Sequence, residues 1–286
     1  MQQLTELFHD VIANGTLKQN RTDKPAISLE GAALFFDVSE SFPAVSTKKL
    51  YFQPVISEGI GFLNGKTSAK DFRDLGAKIW DQNANEEPAW LANPYRDGTD
   101  HLGPVYGAQW RQWNSYKMIE LSRPKQIQSA LQVGYQKLAL IKHPKTNQDA
   151  TLLYKPFDQV LHVLDQITNN PESRRILFHA WNCAEIDQMA LPPCHLLYQF
   201  LPNPQTKTLS LCVYLRSNDL FLGAPFNIAQ SAFFLYLFAR FTGYRPKRLS
   251  YFIGDAHIYT DHLENVHTQM TREPYPSPTL LSLIHI

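Results

Sequence analysis

The sequence predicts an α+β protein built around one large core. Segments with helical spacing and segments with strand-like alternation are interleaved, but they do not follow the regular strand–helix–strand period of a doubly wound sheet. The 286 residues include 44% apolar and 12% aromatic side chains, which is enough to bury a substantial interior. No internal repeat or low-complexity tract interrupts the pattern.

Four segments outside residues 114–156 are predicted to be helices. Apolar residues at helical spacing mark residues 2–13, 53–63 and 157–169, and an Asn-Gly or Asn-Asn turn signal follows each of them. The apolar run 228–241 is too short and too interrupted to span a membrane, so we expect a buried helix. Glu58 lies within the second helix, where a carboxylate must either face solvent or take part in chemistry.

Strands are predicted from alternating or β-prone residues at 26–38, bent around Gly31 or folded as a hairpin, and at 175–180, 195–201 and 209–215. Polar, turn-forming residues predict a loop over 85–100, and a short aromatic-rich loop is expected over 104–113.

Residues 114–156 differ from their surroundings and are interpreted as an insertion. Lys, Gln and Ala are spread along this segment. We predict an amphipathic helix over 124–141, followed by a polar loop that ends at Thr151.

Composition limits the possible partners. Twenty-seven basic and 26 acidic residues leave a formal charge of +1, so no global field would attract DNA or an anionic membrane. The chain opens without a charged-then-apolar leader and has no apolar run near the roughly 20 residues of a membrane span, which predicts a cytoplasmic protein. Cys183, Cys194 and Cys212 form neither an even disulfide framework nor a metal-binding pair, so free thiols and no metal are expected.

Two motifs carry candidate chemistry in the second half of the chain. Leu191-Pro-Pro-Cys-His195 places a cysteine at the head of a strand, although a lone cysteine is more often a small buried apolar residue. Residues 214–227 then concentrate polar side chains among apolar neighbours, namely Arg216, Ser217, Asp219 and Asn227. Buried polar groups at this density need partners, which are either a ligand or an internal Arg216–Asp219 ion pair.

Two further motifs have both a structural and a functional interpretation. Arg174 and Arg175 lie between a helix and a strand, where they either remain in solvent or clamp an anion with their forked donors. In Gly254-Asp-Ala-His-Ile-Tyr259, His257 and Tyr259 are two residues apart and share one face of a strand. They are either a packed pair or a pair of ligand contacts.

Together with Arg21-Thr22, residues 79–81 and residues 102–111, these motifs resemble the thymidylate synthase family in order and in spacing. The resemblance runs from about residue 1 to residue 280, with extra residues after position 83 and between 114 and 157. It implies one catalytic domain over 1–280, interrupted by the insertion at about 114–156. The implied fold is a large mixed β-sheet flanked by helices, with homodimers that pack through their sheets.

The resemblance also implies a reaction, the reductive methylation of dUMP to dTMP. The implied co-substrate, 5,10-methylenetetrahydrofolate, donates one carbon and a hydride. Cys194 is implied to add as a thiolate to carbon 6 of the uracil, with Arg216 as the cation that lowers its pKa. Glu58 is implied to organise water and protons near O4, Tyr106 to assist removal of the carbon 5 proton, and Asn227 to read N3–H and O4.

The remaining site residues follow from the same resemblance. Asp219 joins the catalytic set, and Arg174 and Arg175 are implied to complete the site of the partner subunit. The implied dUMP contacts are Arg21, Arg174, Arg175, Arg216, Ser217, Asn218, Asp219, Asn227, His257 and Tyr259. The implied folate contacts are Tyr51, Trp80, Asp219, Leu222, Gly223 and Phe226. His195 and Asn182 are expected to belong to the surrounding hydrogen-bond network.

Three alternatives remain open from the sequence. A pyrimidine nucleotide hydroxymethylase of the same fold would add water where the synthase adds hydride. A nucleotide- or RNA-binding relative would bind without turnover. A Cys194–His195 hydrolase is disfavoured because adjacent strand residues point to opposite faces.

The chain departs from the family pattern at both ends. Asp23 stands where a glycine is usual after the Arg-Thr pair, which is unfavourable beside a phosphate. Family members continue past the Arg272-Glu-Pro274 motif, and their last residues close over the folate. Residues 281–286 are therefore expected to be a non-native tail, and weak turnover is expected from a site that does not close.

Overall fold

The structure, a computed structural model, describes residues 2–20 and 24–280. Nine strands lie within these ranges: β1 (Thr16–Lys18), β2 (Ala26–Asp37), β3 (Trp113–Glu120), β4 (Gln136–Lys142), β5 (Asp149–Phe157), β6 (Leu177–His179), β7 (His195–Asn203), β8 (Thr208–Asp219) and β9 (Arg245–Tyr259). The helices of the described residues are α1 (Gln2–Asn14), α2 (Phe52–Leu63), α3 (Ala69–Asp74), α4 (Asp81–Asn85), α5 (Pro88–Leu91), α6 (Tyr106–Arg111), α7 (Pro124–Gln132), α8 (Gln159–Asn169), α9 (Gly223–Thr242) and α10 (Leu263–Met270). Two short 3₁₀ turns, Ile186–Gln188 and Thr260–His262, complete this set.

A six-stranded mixed sheet forms the centre of the molecule. Its strand order is β1-β2-β9-β8-β7-β6, and only the β8–β9 pair is parallel. Parallel neighbours require a long crossover connection, and α9 provides it between β8 and β9. The predicted α+β class and the large mixed sheet flanked by helices are therefore confirmed.

The buried helix α9 anchors the core. Its residues are mostly apolar, which fits a helix that is covered on most sides. The helix ends at Gly243, whose φ of 73° allows the left-handed cap. Helices α2 and α8 pack beside it. The core is rich in aromatic rings, including Trp110, Phe178 and Tyr198.

Most predicted elements have the right type. The helices expected at 2–13, 53–63, 157–169 and 228–241 correspond to α1, α2, α8 and α9, and the four expected strands to β2, β6, β7 and β8. Residues 26–37 form one continuous strand, in which Gly31 adopts a φ of 71°. The two loop predictions were partly wrong, because short helices α5 and α6 lie within 85–100 and 104–113.

The secondary-structure prediction for residues 114–156 was partly wrong, because the helix predicted over 124–141 covers only Pro124–Gln132. Helix α7 ends at Gln132, and Gly134 follows with a φ of 93°, a conformation that interrupts a helix. Residues 136–142 form the edge strand β4, and the last residues of the predicted polar loop begin β5, in which Thr151 is fully buried. The Lys-, Leu- and Ala-rich composition favours a helix locally, but pairing with β5 overrides that preference.

Residues 113–157, which include the predicted insertion, form a separate three-stranded sheet of order β3-β5-β4. Ala130, Ala150 and Leu153 are buried but do not belong to the main core cluster. Contacts with the larger sheet's layers are few, and one of them is the ring pair Trp113–His179 at 4.8 Å. Within residues 2–20 and 24–280, no helix is long and apolar enough to cross a membrane.

Candidate active site

A cleft of about 680 Å³ opens where β8 and β9 end and α9 begins. Its volume lies in the usual range of small-molecule sites, roughly 300–1,000 Å³. Because β8 and β9 are parallel, their carboxyl ends meet at one edge, which is where open sheets with helical crossovers commonly bind ligands. Twelve of the predicted site residues line this cleft: Glu58, Trp80, Tyr106, Cys194, Arg216, Ser217, Asn218, Asp219, Gly223, Asn227, His257 and Tyr259.

Arg216 holds the cysteine loop in place. Its Nε and Nη2 atoms donate to the carbonyl oxygens of Pro193 and Pro192, each at 2.9 Å, and its backbone N–H donates to the Cys194 carbonyl at 2.9 Å. Nη2 also lies 3.7 Å from Cys194 Sγ. This contact places a permanent cation beside the thiol, which favours the thiolate form.

Asp219 does not form the ion pair with Arg216 that the sequence left open, but accepts hydrogen bonds from backbone N–H groups. Its Oδ1 accepts hydrogen bonds from the backbone N–H groups of Phe221 at 2.9 Å and Leu222 at 3.2 Å. No Arg216–Asp219 salt bridge occurs among the described residues. The carboxylate is therefore oriented at the start of α9 and faces the cleft.

Tyr106 connects to the nucleophile through the backbone. Its hydroxyl oxygen accepts a hydrogen bond of 2.7 Å from the Cys194 N–H. The ring is 5% exposed, and burial raises the pKa of this phenol well above its ordinary value. Tyr106 is therefore a neutral hydroxyl that can still donate its own proton.

Glu58 extends from α2 towards α9, where it is partly buried and lines the cleft. Its Oε1 accepts from Trp80 Nε1 at 2.9 Å, and its Oε2 accepts from Gln230 Nε2 at 2.6 Å. Burial raises the pKa of Glu58 to about 7, while these two hydrogen bonds act in the opposite direction. A carboxyl group with a pKa near neutrality is suited to moving protons in both directions.

Asn227 is oriented by a relay of side chains. Asn218 Nδ2 donates to Asn227 Oδ1 at 2.9 Å, and the Tyr251 hydroxyl donates to Asn218 Oδ1 at 2.8 Å. A Cβ atom at Gly223 would lie 3.2 Å from both Asn218 Nδ2 and Asn227 Oδ1, so glycine keeps this pair uncrowded. Asn218 thus orients the Asn227 amide and also lines the cleft.

His257 is fixed by Asp255. His257 Nδ1 donates to Asp255 Oδ1 at 2.9 Å, and the Ser28 hydroxyl donates to Asp255 Oδ2 at 2.7 Å. The hydrogen bond from His257 is the main cause that lowers the pKa of Asp255 to about 2. Tyr259 packs edge-on against the imidazole at 5.2 Å. The shared face predicted for His257 and Tyr259 is thus observed.

Some predicted residues lie outside the cleft of this single chain. The Tyr51 side chain is 58% exposed and Leu222 is 51% exposed, while Phe226 packs partly buried against the core. Arg174 and Arg175 are exposed ahead of β6. Arg21 lies outside the described residues, so its role and those of the other residues outside the cleft stay predictions.

Several cleft residues were missed by the sequence analysis. Asp255 stands inside the Gly254–Tyr259 motif, and Gln230 is an amide one turn after Asn227 in a mostly apolar helix, so both positions could have been identified from the sequence. Lys18 lies three residues before Arg21 and contacts Asp255 at 3.7 Å. Phe62 and Leu191 form apolar parts of the wall and carry no signal that separates them from ordinary core residues.

Comparison with known proteins identifies the family. The family model described as thymidylate synthase matches residues 2–284. Proteins named thymidylate synthase from Pseudomonas putida, Pseudomonas syringae pv. tomato and Bordetella parapertussis are 54%, 52% and 53% identical to this chain over 281 residues. Each alignment covers 98% of this chain and 86% of the relative. This chain belongs to the thymidylate synthase family.

Proposed function

We propose that this chain catalyses the reductive methylation of dUMP to dTMP with 5,10-methylenetetrahydrofolate. The observation that carries the proposal is the placement of Cys194, beside the Arg216 guanidinium, in one cleft with Glu58 and Asn227. Family membership supports the same reaction. The cleft therefore contains a nucleophile, Cys194, and an amide that is able to recognise a pyrimidine, that of Asn227.

The first step is addition of Cys194 to the base. The Sγ–C6 bond forms, and the C5=C6 electron pair moves towards carbon 5 and O4, so carbon 5 becomes nucleophilic. Arg216 stabilises the thiolate before the attack. The Asn227 amide is able to accept from N3–H and donate to O4, a pattern that fits uracil and not cytosine.

The charge that develops at O4 must be balanced by a proton. Glu58, whose pKa burial raises to about 7, carries that proton in part of the population near neutral pH. Tyr106 stays a neutral hydroxyl beside the Cys194 backbone. We therefore expect it to orient the group that accepts the carbon 5 proton, and not to act as a phenolate base.

The residues around the cleft fit a folate. Trp80 and Leu191 form an apolar part of the cleft wall. Gly223 leaves space beside the Asn218–Asn227 pair. The Asp219 carboxylate is oriented to accept hydrogen bonds from the N–H donors of a heterocycle. When bound, 5,10-methylenetetrahydrofolate supplies the one-carbon unit and the hydride. Tyr51, Leu222 and Phe226 are proposed as further contacts on that side.

We also propose a homodimer in which Arg174 and Arg175 of the partner subunit bind the 5′-phosphate together with Arg21 and Arg216. In the isolated chain, Arg174 and Arg175 are exposed and lie outside the cleft lining. The second face of the six-stranded sheet bears the exposed apolar side chains Phe35, Leu201 and Tyr214. A self-complementary apolar sheet face is suited to two-fold packing.

Mixing two inactive variants tests the shared site. A Cys194→Ser dimer is mixed with a dimer carrying Arg174→Glu and Arg175→Glu, and the subunits are allowed to exchange. Each heterodimer then has one intact site, so about a quarter of the unsubstituted activity should return. If each site is complete within one chain, activity stays absent.

Product mass tests the reaction itself. Incubation with dUMP and 5,10-methylenetetrahydrofolate should give dTMP, whereas a hydroxymethylase product would carry one oxygen more. If nucleotide binds but no product of either mass forms, the non-catalytic binding relative is favoured. A cytoplasmic location is likewise proposed, supported by three cysteines that form no disulfide within the described residues.

A further inference from the structure

A buried glutamine, Gln230, connects the two helices that meet behind the cleft. It lies on α9, one turn after Asn227, and is 2% exposed. Its Nε2 donates to Glu58 Oε2 at 2.6 Å and to the Val55 carbonyl at 3.4 Å, and both acceptors belong to α2. A buried amide is unfavourable unless its polar atoms have partners. The two acceptors match the two hydrogens of the Gln230 NH2 group.

The Val55 carbonyl determines which end of the amide faces α2. A carbonyl oxygen can only accept a hydrogen bond, so the NH2 group of Gln230, and not its oxygen, points towards Val55. The same NH2 group then meets the Glu58 carboxyl group as a donor. Gln230 therefore presents a fixed donor, which is the partner that an ionised carboxylate requires.

Helices α2 and α9 lie close together where this contact forms. A Cβ atom at Gly59 would lie 2.9 Å from Phe234 Cε1 and 3.6 Å from Gln230 Cγ. Gln230 and Phe234 are four residues apart, so they share one face of α9. Because a side chain at position 59 would displace the Phe234 ring, glycine there keeps the Gln230 amide within reach of Glu58.

Two donors from different elements hold the Glu58 carboxyl group. Trp80 Nε1, just before α4, donates to Oε1 at 2.9 Å, and Gln230 Nε2 donates to Oε2. Each carboxylate oxygen accepts about two hydrogen bonds, so each oxygen keeps one direction for the cleft. Burial is the main cause that raises the pKa of Glu58, and the hydrogen bond from Gln230 is the first of the two that oppose it.

The titratable neighbours of Glu58 are Tyr106 of α6 and, around the start of β7, Cys194, His195 and Tyr198. Burial raises the pKa of both phenols above their ordinary value and lowers the pKa of His195 to about 3. These three side chains therefore keep one charge state near neutral pH. Cys194 must lose a proton to act as a nucleophile, so the titration of Glu58 has to be followed by a signal of its own.

We propose that Gln230 is a positioning residue, which holds the Glu58 carboxyl group through Oε2 and thereby determines how readily Glu58 exchanges a proton with the substrate. This inference deepens the proposed function and rests on it. Removing the Gln230 amide should change the pH dependence of turnover. A glutamine with a purely structural role would change stability alone.

Gln230→Met tests the amide, because methionine keeps an unbranched side chain of similar length but has no NH2 group. We expect the pKa of Glu58 to rise, since the carboxylate loses a donor. The carbon-13 signal of the Glu58 carboxyl group, assigned by its loss in Glu58→Gln, should titrate about one pH unit higher than in the unsubstituted chain. The limb of the pH profile of kcat that is absent in Glu58→Gln should move in the same direction.

Gln230→Glu gives an independent second variant. It places another carboxyl group in contact with Glu58 Oε2, and two adjacent carboxyl groups do not ionise together readily. The pair should therefore bind its first proton at a higher pH than Glu58 does in Gln230→Met. The expected order of titration midpoints is unsubstituted chain, then Gln230→Met, then Gln230→Glu.

Gln159→Met is the matched control. Gln159 is also a buried glutamine, on α8, and its Nε2 donates to the carbonyl oxygens of Gln109 at 2.8 Å and His179 at 2.9 Å. It does not line the cleft. This variant should lower the melting temperature and leave the Glu58 titration in place.

The outcomes separate this inference from the proposed function. An unchanged Glu58 titration in the Gln230 variants, or a shift of the same size in Gln159→Met, overturns the role of Gln230. The carbon-13 titration needs no turnover, so it decides the inference even in a chain that makes no dTMP. Absence of dTMP from the unsubstituted chain would instead count against the proposed function.

Discussion

The six-stranded sheet and the inserted three-stranded sheet differ in charge and in chemistry. Residues 113–157 contain seven Lys or Arg and two Asp or Glu, a net charge of +5, whereas the whole chain carries +1. The remaining residues therefore carry −4. All residues that line the catalytic cleft come from the larger region, and none comes from 113–157.

The two regions also differ in packing. The large sheet shares one continuous core with α2, α8 and α9, while the insertion buries Ala130, Ala150 and Leu153 in a small cluster of its own. The comparison indicates that the chemistry depends on the larger region, because the described residues that line the cleft all lie outside 113–157. Substitutions in the two regions should therefore have unequal effects.

The largest effect is expected at Glu58. Glu58→Gln keeps the shape and one accepting oxygen, but its NH2 group cannot accept a hydrogen bond from Trp80 or Gln230, and the titrating proton is removed. We expect kcat to fall roughly 10²–10³-fold, the size typical of general acid–base groups. Glu120→Gln, in the insertion, is the control and should leave steady-state turnover within about twofold. Equal losses in both variants would remove the distinction between the regions.

A smaller but specific effect is expected at Asn227. Asn227→Leu removes both the acceptor and the donor that recognise the base, so kcat/KM for dUMP should fall by about 10²-fold. Asn114→Leu removes a comparable asparagine from the insertion, where it accepts a hydrogen bond from the Tyr154 hydroxyl at 2.9 Å. The Asn114 variant should keep normal kinetics, and a comparable loss there would contradict the assignment of Asn227.

Glu58→Gln and Glu120→Gln should change the free energy of unfolding with opposite pH dependence. Burial raises the pKa of Glu58 from 4.5 to about 7 in the folded state. The ionisation of Glu58 therefore lowers the free energy of unfolding as the pH rises from about 4.5 through about 7. The stability advantage of Glu58→Gln over the unsubstituted chain should grow from pH 5 to pH 8, by up to roughly 3 kcal/mol. Thermal or urea unfolding at both pH values measures this change.

Glu120 provides the contrast. The Thr146 hydroxyl is the main group that lowers the pKa of Glu120, so its contribution to stability is present above its ordinary pKa and is lost as the pH falls. Glu120→Gln should therefore be destabilising at neutral pH and nearly neutral at low pH. Unfolding midpoints of this variant at both pH values measure the effect, and an advantage that grows at higher pH would contradict the expected sign.

The smallest effect on catalysis is expected from shortening the insertion. Ser115 and Lys155 are paired neighbours on β3 and β5, so a two-residue Asn-Gly turn can join them in place of residues 116–154. We expect the shortened chain to fold and to keep dTMP formation within about threefold. Loss of folding would mean that the insertion is an integral part of the catalytic domain.

The same comparison explains what the sequence could predict. Cys194, Arg216, Asn227 and His257 lie in short motifs whose polar residues are unusual among apolar neighbours, and the resemblance to the thymidylate synthase family implied the single cleft in which they meet. The insertion has no such motif, and local helix preference in residues 136–142 was overridden by strand pairing.

Other features required the folded structure. The His195–Tyr198 stack depends on a one-residue bulge, which alternation along a strand does not reveal. Similarly, the raised pKa of Glu58 depends on its burial between α2 and the elements that pack against it, which the sequence does not reveal.

The most direct test of the central claim is the mass of the intact chain after incubation with 5-fluoro-dUMP and 5,10-methylenetetrahydrofolate. Fluorine at carbon 5 cannot leave as a proton would, so the covalent intermediate accumulates. We expect a mass increase equal to both ligands in the unsubstituted chain and none in Cys194→Ser. An unchanged mass in the unsubstituted chain, or an adduct that persists in Cys194→Ser, would contradict Cys194 as the nucleophile of a thymidylate synthase reaction.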